Sequence, residues 1–269
     1  MNTSFLTQMF NLDGRKAVVT GAGSGIGQAT AVALANFGAE VIILGRTMEK
    51  LKRTEAEIVA IGGKCTSYAV DVTDSKQVEK FFATYKNEYG VLDIFVSNVG
   101  VQVRKNALET SEEEFDRLVN TNFKSGWRCL KYAGNIMRDQ GKGNIVIVTS
   151  INGYQPIPNQ AIYASTKFAL RSLTETLAGT LAPYGVRVNA CAPGAVLTDL
   201  TREVFTIKSV HDAKAAEIAL GYIGQPMDIG IVIATMVTDA YRFMTGSCIL
   251  VDGGDSLRKP MKMPAPGEK

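Results

Sequence analysis

Ala17-Val18-Val19-Thr20-Gly21-Ala22-Gly23-Ser24-Gly25-Ile26-Gly27 is the stretch on which the fold turns. Its apolar, β-branched start reads as a buried strand, its glycines as a turn, and the residues from Gly25 to about Phe37 as a helix. Glycines let a backbone approach a pyrophosphate, and a helix N-terminus offers it free N–H groups and the positive end of a dipole. The spacing is GxxxGxG through Gly21, Gly25 and Gly27, with Ile26 where the third glycine of GxGxxG would fall. A glycine cluster alone equally marks a tight turn. Strand before and helix after are what make it a dinucleotide site.

Outward from this unit the same rhythm repeats. Strands are predicted near 16–20, 40–45, 66–70, 93–98, 144–149, 186–191 and 247–251. Helices are predicted near 25–37, 47–61, 74–88, 112–139, 161–183 and 226–238. Strand–helix alternation implies a parallel sheet covered on both faces, because each parallel connection must cross over. The reading is one α/β domain over residues 1–256: a doubly wound, seven-stranded parallel sheet with helices on both faces. Residues 198–225 break the rhythm and are expected to form a loop-rich lid. Residues 257–269 are expected to be a polar, flexible tail.

A second constellation carries the chemistry. Ser150 ends the apolar run Asn144–Thr149; twelve residues separate it from Tyr163, and Lys167 follows four positions later. Positions i and i+4 share a helix face, so a Tyr hydroxyl and a Lys ammonium can enter one cleft together. Without the glycine motif, a packed ring and a surface lysine would be the plainer reading.

Composition narrows the classes. The chain has 269 residues, 46% of them hydrophobic, with a net charge of +3. That supplies a core for one α/β domain and no basic run for nucleic acid. Cys65, Cys129, Cys191 and Cys248 lack metal or disulfide spacing, so no metal site is expected and free thiols in a reducing cytoplasm are. No apolar run is long enough for a membrane span, and the first residues do not read as a secretory signal.

Together these residues resemble the short-chain dehydrogenase/reductase family from about Leu12 to Asp255. Thr20–Gly27 resembles its TGxxxGxG loop, and Tyr163-Ala164-Ser165-Thr166-Lys167 its YxxxK motif. Asn122 falls where the family has the Asn of a catalytic tetrad with Ser150, Tyr163 and Lys167. The resemblance implies a Rossmann-like fold and an NAD(P)-dependent oxidoreductase acting on CH–OH groups. It implies that Gly21, Ser24, Gly25, Ile26 and Gly27 hold the pyrophosphate, and that Asp71 and Val72 meet the adenine. Asn98 and Gly100 line the adenosine side, while Tyr163 and Lys167 reach the nicotinamide ribose. Pro193, Gly194, Val196 and Thr198 are similar to the segment that closes over the nicotinamide, and Asp252-Gly253-Gly254 to the family's C-terminal DGG. Two departures stand out: Ser97-Asn98-Val99-Gly100 replaces NNAG, and Gly230 stands where Ala is common, at about 1 kcal/mol of helix propensity.

Cofactor choice is read at the tip of the second strand. An NAD site needs a carboxylate there, an NADP site a cation. Gly45 takes the acid position and Arg46-Thr47 follows, so NADP is expected ahead of NAD, with Arg46 forking onto the 2′-phosphate. A solvated Arg46 at a helix start is the blander alternative, and Ser24 stands where many NADP-preferring relatives have a second base.

Tyr163 is expected as general acid/base, with Lys167 favouring its phenolate, Ser150 donating to the substrate oxygen and Asn122 positioning a water. Pocket candidates by family position are Gln102, Asn152, Tyr154, Gln160, Val196 and Phe205. The amides suit a keto-sugar acid or polyol. The apolar lid residues equally suit an aliphatic ketone, a steroid or a β-ketoacyl thioester, and a non-catalytic NADP sensor is the other class. His211 is expected to be an exposed lid residue. The two longest helices carry apolar stripes that in part cover the sheet, and the family resemblance implies that they also pack against a second subunit in a homodimer or homotetramer.

Overall fold

The structure, a computed structural model, describes residues 3–257. The expected tail lies outside the described residues except for Leu257, which is exposed. Seven strands form one parallel sheet in the order β3-β2-β1-β4-β5-β6-β7. They are β1 (Lys16–Thr20), β2 (Glu40–Gly45), β3 (Cys65–Ala69), β4 (Ile94–Ser97), β5 (Gly143–Val148), β6 (Val186–Pro193) and β7 (Cys248–Val251). Each lies within a few residues of its predicted span.

Strand alternation sorts the core into two layers. Val19, Val41 and Ile43 face one cluster, built with Ala31, Leu34, Ile229 and Ile233 from α2 (Gly25–Asn36) and α10 (Pro226–Met236). Val18, Ile42 and Phe95 face the other. There they meet Phe81, Phe82, Leu130 and Leu170 from α4 (Ser75–Tyr89), α6 (Ser125–Gln140) and α7 (Ala161–Leu181). Neighbouring residues of one strand thus bury on opposite faces, as a sheet covered on both sides requires. α3 (Met48–Ala60) follows β2 and seats Leu51 and Ile58 in the first layer.

Gly230 has a packing reason that helix propensity misses. A Cβ there would sit 2.7 Å from the Ala29 carbonyl carbon, so the glycine lets α10 lie directly on α2.

Three features depart from the predicted elements. α1 (Thr3–Phe10) was not foreseen; Phe10 makes an edge contact with Phe37, their ring centres 6.5 Å apart. The single helix expected over 112–139 is α5 (Glu112–Leu118) and α6 joined by a π-turn, Val119–Lys124. The lid carries two helices, α8 (Arg202–Phe205) and α9 (Lys208–Glu217). Its ends are pinned where Gly224 N–H donates to Ala195 O at 3.0 Å and Leu197 N–H to Gly224 O at 2.9 Å.

The chain order reverses between β1 and β4, and in open parallel sheets a crevice opens at the carboxyl ends of such strands. Among the described residues no helix is long and apolar enough to cross a membrane. No group of three His, Cys, Asp or Glu side chains among them is placed to hold a metal ion.

Candidate active site

The crevice is a cleft of about 450 Å³ that joins the glycine turn to the Ser150/Tyr163/Lys167 group. At one end Gly21 and Gly25 adopt φ of +67° and +56°, left-handed values that side chains rarely tolerate. Ser24 is the N-cap of α2 but its side chain makes no capping hydrogen bond. The first N–H groups of α2 therefore face the cleft unclaimed by that side chain. A cradle of this shape fits a dinucleotide pyrophosphate. Gly21, Ser24, Gly25 and Ile26 line it; Gly27 does not. A Cβ on Gly27 would stand 2.3 Å from the Gly21 carbonyl oxygen, so its task is close packing beneath the turn.

Asn98 holds the cradle in place. Its Nδ2 donates to Thr20 O at 3.1 Å and to Gly21 O at 3.3 Å, while its N–H donates to Thr20 Oγ1 at 3.0 Å. Val99 and Gly100 continue the wall. A Cβ on Gly100 would lie 3.5 Å from Lys167 Nζ, an ordinary contact that places this wall beside the lysine.

The adenosine end is set by β2 and β3. Arg46 is exposed at the β2 tip and lines the cleft with Thr47. It has no ion-pair partner among the described residues. Asp71 and Val72 line the opposite side, and Asp71 Oδ1 accepts from Thr73 N–H at 2.9 Å. Thr198 reaches back over the turn, 3.3 Å from where a Gly25 Cβ would be. Pro193, Gly194 and Val196 complete that wall.

At the other end the proton-handling groups converge. Lys167 is buried and its Nζ donates to Val148 O at 3.1 Å, below the Tyr163 ring at 5.6 Å from its centre. Burial lowers the Lys167 pKa to about 8. Burial raises that of Tyr163, and a hydrogen bond with Ser150 pulls the other way. Removal from water thus favours the protonated phenol, the form that can donate a proton. Ser150 Oγ also accepts from Asn152 N–H at 3.2 Å.

Asn122 sits in the π-turn and does not line the cleft. Its Oδ1 accepts from Val101 N–H at 2.7 Å; its Nδ2 donates to Val101 O at 2.9 Å and Thr166 Oγ1 at 3.2 Å. The side chain clamps the 100–102 segment onto α7. Both amide protons are bonded to protein partners, and Oδ1 keeps a second acceptor site.

Asn152, Gln160, Phe205 and Gln102 line the cleft. Asn152 Nδ2 donates to Gln160 Oε1 at 2.5 Å. Tyr154 does not: its hydroxyl donates to Cys248 O at 3.0 Å and its ring lies 4.2 Å beneath the Arg171 guanidinium. His211 stands on α9 with a half-exposed side chain against Asp212. Sequence reading missed Lys50, Asp199, Lys214 and Asp255 on the cleft wall. Lys50 Nζ meets Asp199 Oδ2 across the mouth at 3.2 Å. Asp255 follows the glycine pair and could have been noticed; Lys50 on α3, Asp199 before α8 and Lys214 on α9 carried no local signal.

A doubly wound sheet with a glycine cradle at its switch point and a buried Tyr–Lys–Ser group opposite defines a dinucleotide-dependent oxidoreductase. Comparison with known proteins agrees. A family model described as enoyl-(acyl carrier protein) reductase matches residues 21–256. A short-chain dehydrogenase/reductase of Armillaria gallica is 36% identical over 90% of this chain and 95% of its own length. The 3-oxoacyl-[acyl-carrier-protein] reductase FabG of Thermotoga maritima is 32% identical over 90% and 98%. The crystal structure of a gluconate 5-dehydrogenase from Burkholderia cenocepacia, in complex with NADP and tartrate, superposes with a TM-score of 0.88 at 29% identity, covering 93% of this chain and 98% of that one. The chain belongs to the short-chain dehydrogenase/reductase family and is an NAD(P)-dependent oxidoreductase acting on CH–OH groups.

Proposed function

We propose that this chain is an NADPH-preferring reductase that interconverts a ketone and a secondary alcohol on a polyhydroxylated substrate such as a keto-sugar acid or polyol. The observation that carries the reaction is the convergence of Ser150, Tyr163 and Lys167 at one end of a cleft whose other end is the glycine cradle. When bound, the nicotinamide supplies a hydride to the carbonyl carbon, or accepts it in the reverse direction. Ser150 donates to the carbonyl oxygen and holds it at the phenol. Tyr163, kept protonated by burial, gives its proton to that oxygen as negative charge develops there. Lys167 holds the ribose and places positive charge behind Tyr163. Asn122 keeps the 100–102 wall in register with α7.

Preference for NADPH rests on Arg46, a cation with no ion-pair partner among the described residues, directly after Gly45, which stands where an NAD site has a carboxylate. A side chain at Gly45 would press on Leu51, whose Cδ2 lies 3.2 Å from a Cβ built there. The substrate class rests on buried Asn152 and Gln160 and half-buried Gln102 in the cleft wall, whose remaining amide donors and acceptors suit hydroxyl partners, and the gluconate-acting neighbour supports it. A second reading, a β-ketoacyl thioester or apolar ketone, is favoured by Ile157, Leu200 and Phe205 on the same wall and by the acyl-carrier-protein relative.

Exposed Trp127 on α6 and Phe168 on α7 support assembly into a homodimer or homotetramer. Four free cysteines suit a reducing, cytoplasmic setting. The test is NADPH and NADH oxidation against keto-sugar acids, aliphatic and aryl ketones, ketosteroids and β-ketoacyl thioesters. Turnover is expected with NADPH on the keto-sugar acids. Turnover confined to thioesters or apolar ketones would establish the second reading instead.

A further inference from the structure

The cleft wall also holds an ion pair, buried at its carboxylate, for which the chemistry above has no use. Lys214, on lid helix α9, donates to Asp255 Oδ1 at 2.6 Å. The Asp255 side chain is 5% exposed and that of Lys214 26%. Both line the cleft. The other carboxylate oxygen, Asp255 Oδ2, is buried and has no hydrogen-bond partner among the described residues. Lys214 also donates to Glu217 at 3.3 Å, and an ammonium has three donors, so one remains.

A buried carboxylate oxygen without a donor is costly, and such groups are uncommon unless something outside the fold satisfies them. Its place shows what that something is. Gln155 Nε2 donates to Ser256 O at 2.7 Å, which ties the neighbour of Asp255 to the segment that begins at Ser150. Leu220 N–H donates to Gly253 O at 3.0 Å, which ties the same turn to the lid. The pair therefore closes the substrate end of the cleft, away from the glycine cradle.

We propose that Lys214 and Asp255 form the distal substrate subsite and select a hydroxyl-bearing chain. With a small turn of the Asp255 carboxyl toward the cleft, Oδ2 accepts from one substrate hydroxyl and Lys214 donates to an adjacent oxygen. Because the two charges already neutralise each other, the subsite reads hydroxyls rather than a second anion. An apolar chain would leave Oδ2 unpaired, and sites built to bond a hydroxyl reject analogues that lack it far better than apolar pockets reject an added one. The inference deepens the proposed substrate class and rests on that reading for the ketone end alone.

The test is calorimetric titration of the NADP-saturated full-length protein with gluconate and with hexanoate, which share a six-carbon carboxylate and differ in hydroxyls. Gluconate should bind at least about tenfold more tightly than hexanoate. Asp255→Asn and Lys214→Gln should each weaken gluconate by about 10-fold to 100-fold and hexanoate by less than about twofold. Equal affinity for the two acids, no gluconate binding, equal losses on both, or variants that keep the gluconate advantage would each overturn the proposal. Equal losses would make the pair a strap for the lid. If Asp255→Asn does not fold, as judged by melting and NADPH fluorescence, the half-exposed Lys214→Gln decides by the same criteria. Neither probe requires turnover. Asp255-dependent gluconate binding in a protein inactive on every ketone would count against the reductase reading and leave the subsite standing.

Discussion

Lys167 Nζ lies 5.6 Å from the centre of the Tyr163 ring, and its hydrogen bond to Val148 O at 3.1 Å holds it there. The lysine is thus fixed by the end of β5 while sharing a helix face with the tyrosine. Both groups are withdrawn from water, and their protonation follows from that. Burial favours the neutral form of each, raising the phenol and lowering the ammonium to about 8.

A first prediction concerns stability. Lys167 titrates at about 8 when folded and at about 10.4 when unfolded. Between those values the unfolded chain binds the extra proton, so stability rises as pH climbs through that window. Below about pH 8 the penalty is fully present. Lys167→Met is therefore expected to abolish turnover yet raise stability at pH 7 by about 1–3 kcal/mol. Urea unfolding at pH 7 and pH 10 checks this, and the gain should shrink at the higher pH.

Activity should carry the same signature. Reduction needs Tyr163 protonated, which its raised pKa ensures, and Lys167 charged, which holds below about 8. For reduction, kcat/KM is expected to be level through neutrality and to fall above about pH 8. A steady rise from pH 7 to pH 9 would contradict the assignment.

Arg46 is tested through the cofactor pair. Arg46→Ala should raise KM for NADPH by about 10-fold to 100-fold and leave NADH within about twofold. Equal losses would remove its proposed role on the 2′-phosphate.

Gly230 offers a packing test far from the chemistry. Gly230→Ala gains helix propensity of about 1 kcal/mol yet forces a methyl 2.7 Å from the Ala29 backbone. A net loss of about 1–3 kcal/mol in thermal or chemical unfolding is expected. A more stable variant would show that α10 can shift off α2.

Much of this was legible because strong local signals coincided with tertiary demands. Val18 and Val19 are apolar on both faces, so β1 could only be a central parallel strand, and Gly21 and Gly25 after it take the left-handed backbone that glycine allows. Tyr163 and Lys167 declared their shared face by spacing. The π-turn at Val119–Lys124 was hidden because its residues fit the helical pattern on either side. Tyr154 looked like a pocket residue, but its hydroxyl is claimed by the β7 backbone. Lys214 and Asp255 are brought together by lid folding across 41 residues of sequence, a juxtaposition no local pattern announces.

The most direct measurement compares Tyr163→Phe with the unaltered protein in two assays: turnover of NADPH with a ketone substrate, and NADPH binding by fluorescence. Loss of turnover by at least about 100-fold, with NADPH affinity unchanged within about twofold, is the expected result. Turnover retained without the hydroxyl would contradict the account at its centre.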